Sequence, residues 1–124
     1  MRLSDLRGVP TVVNVWAAWC TNCEREMPLF AEAVTLAGAD VRFVGVHYKA
    51  SREQGLAAEQ RFGVPFASVH DEDGDLVARR LRATAPPQTL FVTADGRVAG
   101  REIGEIDSLR EMRELVQRHL GVAL

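Results

Sequence analysis

Six consecutive residues near the start of the chain, Thr11-Val12-Val13-Asn14-Val15-Trp16, are apolar almost throughout and mostly β-branched. A run without alternation has no face to give to water. It reads as a strand buried on both sides, and the sheet that contains it must be covered by helices. Ala17-Ala18-Trp19 then leads to Cys20, where the pattern changes to helical spacing, with Met27, Phe30, Ala31, Val34 and Ala37 on one side. Pro28 inside that stretch is expected to kink the helix without ending it, because the apolar spacing continues beyond it. Gly38 is placed to close it.

The remainder alternates in the same way. Residues 41–46 read as a second strand. Ser51 and Gln54 have capping-box spacing for a helix through about Phe62. Residues 65–69 read as a short strand, 71–74 as a turn, and Leu76, Val77, Arg80 and Leu81 as one or two helical turns. Residues 89–93 form a further strand, and Ala94-Asp95-Gly96 turns it into an antiparallel hairpin with residues 97–101. Asp107 or Ser108 caps a last amphipathic helix with Leu109, Met112, Leu115, Val116 and Leu120 on its apolar side and Gly121 at its end. This order predicts a three-layer α/β/α sandwich with a mixed sheet and a closing antiparallel hairpin. No repeat or linker divides it, so residues 1–124 read as a single domain.

At 124 residues the chain can build one core and not two. Fifteen basic against seventeen acidic side chains give no field to attract nucleic acid. No apolar run has the length of a membrane span, and Met1-Arg2-Leu3-Ser4-Asp5 has no apolar signal core.

Two cysteines, Cys20 and Cys23, are the whole thiol inventory. A pair this close closes almost no loop, so stability is a poor reason for it. Chemistry is the better one. Cys20 falls where a buried strand ends and a helix begins, among unpaired N–H groups and a partial positive charge that stabilise a thiolate. A Cys-x-x-Cys cysteine so placed can have its pKa lowered to about 3.5–7.5. Cys23, three residues on, returns to the same helix face and can attack a mixed disulfide at Cys20. Trp16 and Trp19 supply an apolar wall. Metal binding is the rival, but Cys-x-x-Cys gives two ligands only, and His47, His70 and His119 make no second pair.

The segment Val15-Trp16-Ala17-Ala18-Trp19-Cys20-Thr21-Asn22-Cys23-Glu24-Arg25-Glu26-Met27-Pro28 resembles the active-site segment of the thioredoxin-like TlpA/ResA family of bacterial thiol–disulfide oxidoreductases. Phe43-Val44-Gly45-Val46, Arg61-Phe62-Gly63-Val64-Pro65-Phe66, Asp71-Glu72-Asp73-Gly74 and Pro87-Gln88-Thr89-Leu90-Phe91-Val92 follow in the family's order. The resemblance implies a thioredoxin-like fold with a strand and helix inserted between residues 65 and 81. Pro87, which on its own reads as an ordinary trans proline at a strand start, then corresponds to a cis-proline facing the active-site disulfide. Glu26, which by spacing alone reads as solvated, corresponds to a buried glutamate that handles protons for Cys23. Asn14 stands where thioredoxins proper have a buried aspartate, and an amide cannot titrate. Pro86 departs from the pattern: it has no N–H to donate to an extended substrate.

Together these imply a protein thiol–disulfide oxidoreductase in which Cys20 attacks, Cys23 resolves, Glu26 assists and Trp19, Pro86 and Pro87 shape the substrate groove. The electrons reside on sulfur, so no cofactor and no metal are expected. Partners would be protein thiols and disulfides and a membrane or soluble redox protein, with the chain a monomer. The family setting is extracytoplasmic, in cytochrome c maturation or disulfide chemistry of exported proteins, and the sequence reads as a trimmed soluble domain. The alternative is a Sco-like copper metallochaperone using the same cysteines, with His47 or His70 closing the site. A non-catalytic chaperone domain is a third option. By themselves His47 reads as a solvated loop residue and His70 and His119 as surface residues. Glu102, Glu105, Asp107, Arg79, Arg80 and Arg82 read as solvated charges.

Overall fold

The computed structural model describes residues 6–124, so the reading of Met1-Arg2-Leu3-Ser4-Asp5 lies outside the described residues. The run predicted to be buried on both faces is strand β1, Thr11–Trp16, and all six of its residues are buried. Helix α1 (Thr21–Ala37) follows, then β2 (Arg42–Tyr48), α2 (Arg52–Phe62), β3 (Ser68–Asp71), a single π-helical turn (Leu76–Arg80), β4 (Gln88–Val92), β5 (Val98–Ile103) and α3 (Leu109–Leu120). The sheet order is β3-β2-β1-β4-β5. β1 is central, parallel to β2 and antiparallel to β4. β3 is parallel to β2, and β5 closes an antiparallel hairpin on β4.

Alternation along the strands sorts the core. Val12, Phe43 and Phe91 point to the face on which α1 and α3 pack through Phe30, Ala33, Met112 and Val116. Val13, Val15, Val44, Val46 and Leu90 point to the other face, where Leu6, Val77, Leu81 and Ala83 cover them. α2 also lies on the first face, with Ala58 packed in the cluster of Trp16, Cys20 and Cys23. The outer layer on the second face is therefore thin: one helical turn, the segment that follows it, and Leu6.

The local signals explain the element ends. Ser51 Oγ accepts from Gln54 N at 3.2 Å while Gln54 Oε1 accepts from Ser51 N at 3.0 Å, completing the capping box. Ser108, not Asp107, caps α3 by accepting from Glu111 N. α1 continues through Pro28, and its buried side contains Ala33, which the spacing had not included, with Val34 half-buried against the same cluster as expected. The third strand begins at Ser68, three residues later than expected, and ends at Asp71. Asp71 is then buried because its carboxylate accepts from Leu76 N at 3.0 Å and Val77 N at 2.8 Å, holding the π-helical turn.

β2 runs two residues past its apolar segment because β3 pairs alongside it, matching His47 with His70 and Tyr48 with Asp71. This overturns the reading of His47 as a solvated loop residue: it is fully buried. Its ring lies 4.5 Å from Trp16 and 5.6 Å, edge-on, from His70. His70 and His119 are half-buried, not surface residues, the latter with its ring 5.1 Å from Phe91. Desolvation, with the neighbouring His70 as a smaller cause, lowers the His47 pKa from 6.5 to about 4. Gly55 of α2 fits over these rings only because it has no side chain: a Cβ there would meet His47 Nδ1 and His70 Nδ1, each at 2.6 Å.

Two outcomes follow from this packing. Gly55→Ala gains about 1 kcal/mol of helix propensity but overpacks two ring edges, at a cost of about 1–3 kcal/mol. The clash dominates, and the denaturation midpoint falls. Between about pH 4 and 6.5 the unfolded chain holds a proton on His47 that the folded chain does not, so this residue's contribution to stability rises with pH across that window. The stability of the wild type relative to His47→Leu, measured by urea unfolding, therefore grows from pH 4 to 6.5 and levels off above it.

Candidate functional site

β1 ends at Trp16, and the chain turns through Ala17–Trp19 into α1. Cys20 is the N-cap of that helix, in extended backbone conformation. Its sulfur accepts from Cys23 N at 3.2 Å, one of the unpaired donors of the first turn. Cys20 and Cys23 are joined as a disulfide, with their Cα atoms 5.3 Å apart. Cys20 is 7% exposed and Cys23 is wholly buried, so a partner can approach only the first sulfur. Trp16 is fully buried beside the pair, and its Nε1 donates to Ser68 Oγ at 3.0 Å. The expected two-tryptophan wall is thus one wall and one rim: Trp19 is 60% exposed. It borders a groove of about 380 Å³ between Lys49, Gln54 and Arg61. Arg61 Nη2 donates to Ala18 O at 3.2 Å and ties the segment before Cys20 to α2.

The bond between Pro86 and Pro87 is cis. The sheet brings this bond to the cysteine end of β1, because Val15 pairs with Gln88, the residue directly after Pro87. Pro87 is buried and Pro86 half-buried. Pro87 O accepts from Gly104 N at 2.9 Å. Gln88 was not singled out by the sequence, yet its buried amide Nε2 donates to Thr84 Oγ1 at 3.0 Å and Ala85 O at 3.3 Å. These bonds hold the loop that carries the two prolines. A polar side chain opening a buried strand was the available signal.

Glu26, one turn beyond Cys23 on α1, is 1% exposed. One carboxylate oxygen accepts from Ile106 N at 2.7 Å and the other from Asn14 Nδ2 at 3.4 Å. Desolvation outweighs both bonds and raises its pKa from 4.5 to about 7. The solvated reading from spacing alone gives way to a buried carboxyl that is half-ionised near neutrality. Glu105, expected to be a solvated charge, is paired with Arg25 at 2.7 Å. Glu102 lies within β5 opposite Thr89. Asp107, Arg79, Arg80 and Arg82 are exposed, as expected.

Among the described residues no group of three or more His, Cys, Asp or Glu side chains is arranged to hold a metal ion. Neither His47, packed on Trp16, nor His70 joins the cysteines in such a group. Nor is any helix among them long and apolar enough to cross a membrane.

A family model described as AhpC/TSA matches residues 1–101. The thiol:disulfide interchange protein DsbE of Pseudomonas fluorescens biotype C is 34% identical over 117 residues, covering 94% of this chain and 64% of that protein. DsbE of Escherichia coli K12 is 29% identical over 102 residues, covering 82% of this chain and 53% of its own length. The chain thus spans about half to two-thirds of the length of these relatives. A secreted Mycobacterium tuberculosis disulfide oxidoreductase, described as homologous to E. coli DsbE, superposes with a TM-score of 0.77 at 23% identity, over 93% of this chain and 85% of that one. That likeness concerns the fold. The chain belongs to the AhpC/TSA family, and within it has the thioredoxin-like fold of TlpA/ResA-type proteins.

Proposed function

We propose that this chain is a thiol–disulfide oxidoreductase that exchanges its Cys20–Cys23 pair with partner proteins, and that it works as a monomer on the extracytoplasmic side of a bacterial cell. The carrying observation is the pair itself: a slightly exposed sulfur capping a helix, bonded to a buried sulfur one turn along. The names of its relatives, thiol:disulfide interchange proteins, support the same reading, as does the secreted character of a structural neighbour. A role in cytochrome c maturation, or in the disulfide chemistry of other exported proteins, fits this setting.

In the reducing direction the Cys20 thiolate attacks one sulfur of a partner disulfide. A Cys20–partner bond forms, the partner's S–S bond breaks, and the departing sulfur takes up a proton. Cys23 then loses its proton to the Glu26 carboxylate and attacks Cys20, closing the internal disulfide and releasing the second partner sulfur. Two electrons pass to the partner, and oxidation is the same sequence in reverse. Asn14 cannot take the proton, which leaves Glu26 as the buried titrating group on this side of the pair. In this reading Trp19 forms the exposed rim of the substrate-binding surface, and Pro86 and Pro87 shape it from the start of β4, at the same end of the sheet. Pro86 offers a carbonyl but no N–H, so an incoming peptide is gripped through fewer main-chain bonds.

Two measurements test this reading. Cys23→Ser should accumulate a mixed disulfide at Cys20 with a cysteine-containing client, whereas Cys20→Ser should form none; equal trapping by both variants rules out the assigned order of attack. Glu26→Gln should slow resolution at pH 7.5 by at least about tenfold, since positioned proton transfer contributes roughly 10²–10⁴ in rate. It should also abolish the rise in that rate through pH 7 that ionisation of Glu26 predicts. An unchanged pH profile excludes the proton role.

A further inference from the structure

One chain of contacts around the disulfide has no part in the exchange itself. Arg25 projects from α1 between Cys23 and Glu26. Its Nη2 donates to Glu105 Oε1 at 2.7 Å and its Nε to Glu105 Oε2 at 3.3 Å, a two-point grip on the segment between β5 and α3. The same Nη2 donates to Asn22 Oδ1 at 2.6 Å, and Asn22 is one of the two residues between the cysteines. Glu105 immediately precedes Ile106, whose amide reaches back to the Glu26 carboxylate at 2.7 Å. The Arg25 side chain is 58% exposed and that of Glu105 21%, and an ion pair so open on its cationic side adds little to stability. Its location is more informative than its strength.

We propose that Arg25 and Glu105 are positioning residues, their ion pair clasping the Glu105–Ile106 segment to α1 so that the Ile106 N–H stays aimed at the buried carboxylate of Glu26. The proposal rests on the proton role of Glu26 given above. The surroundings of that carboxylate define what the clasp does. Asn14 faces it from β1, the Ile106 amide and the charges of Glu105 and Asp107 from the segment before α3, and Cys23 precedes it by one turn on its own helix. Of the effects that oppose burial, the bond from Ile106 is the largest, ahead of the bond from Asn14, and the repulsion from Glu105 is smaller than either. Losing the donor therefore outweighs losing the neighbouring charge.

This ordering separates positioning from simple charge. Arg25→Ala removes the clasp and leaves Glu105 unneutralised, so both changes push the Glu26 pKa upward. Glu105→Ala removes the clasp and a negative charge, and these act in opposite directions. A clasp predicts an upward shift in both variants, larger for Arg25→Ala, whereas through-space charge alone predicts shifts of opposite sign. The experiment is a carbon-detected NMR titration of the Glu26 side-chain carboxyl in oxidised wild type, Arg25→Ala, Arg25→Lys and Glu105→Ala. The expected result is a rise of about half a unit or more in Arg25→Ala, roughly threefold in the ionisation equilibrium. A smaller rise is expected in Glu105→Ala, and an intermediate one in Arg25→Lys, which keeps the charge and loses the fork. A fall in Glu105→Ala, or no shift in either alanine variant, overturns the proposal. Because the titration observes the carboxyl directly, the clasp is judged even if Glu26→Gln leaves exchange untouched, a result that would remove the proton role alone.

Discussion

Complete burial of β1 is the constraint on which the rest of the molecule depends. A strand with no wet face has to sit at the centre of a sheet, with partners on both edges and cover above and below. That placement fixes where the chain goes next. After Trp16 it leaves the end of the sheet and begins α1, so a cysteine four residues past the strand becomes a helix cap. The same pairing brings the start of β4, and with it the cis Pro86–Pro87 bond, to that end. The site is thus a product of sheet order, assembled from segments more than sixty positions apart in the chain.

Glu26 shows what packing adds to such an arrangement. A carboxyl buried among apolar side chains resists ionisation, and two hydrogen bonds from Asn14 and Ile106 recover part of the loss. The balance leaves it near neutrality, the range in which a group can both take and return a proton. Were Asn14 an aspartate, the two carboxyls would compete for the same proton; an amide at that position leaves Glu26 to titrate alone.

Much of this was legible in the chain. An unbroken apolar run located β1 to the residue, capping-box spacing located the start of α2, and Cys20–Cys23 announced the chemistry through spacing and context. What escaped was set by contacts distant in sequence. His47 follows an apolar run and reads as loop, and only the pairing of β3 along β2 puts it inside. Glu26 reads as solvated by spacing and as buried only through the family resemblance, since nothing local signals that residue 106 will return to cover it. Glu105 and Arg25, eighty positions apart, look like ordinary surface charges until the segment before α3 is laid against α1. Gln88 is hidden for a different reason: its partners, Thr84 and Ala85, are near it in the chain, but the sequence does not spell out the course of the loop that carries them.

His47 and Glu26 also have a joint consequence for how the molecule tolerates acid. Between about pH 4.5 and 6.5 the native chain carries its proton on the carboxyl of Glu26 and none on the imidazole of His47, the reverse of their preference in water. Opening the structure returns each to its habit: one group gives up a proton as the other acquires one. For these two residues the tally with the buffer is zero, and the slopes of free energy against acidity that each would impose alone cancel. A protein that keeps a weakly acidic carboxyl one helical turn from its buried sulfur can in this way pass through mildly acidic surroundings with the opposing pulls of the two groups offset.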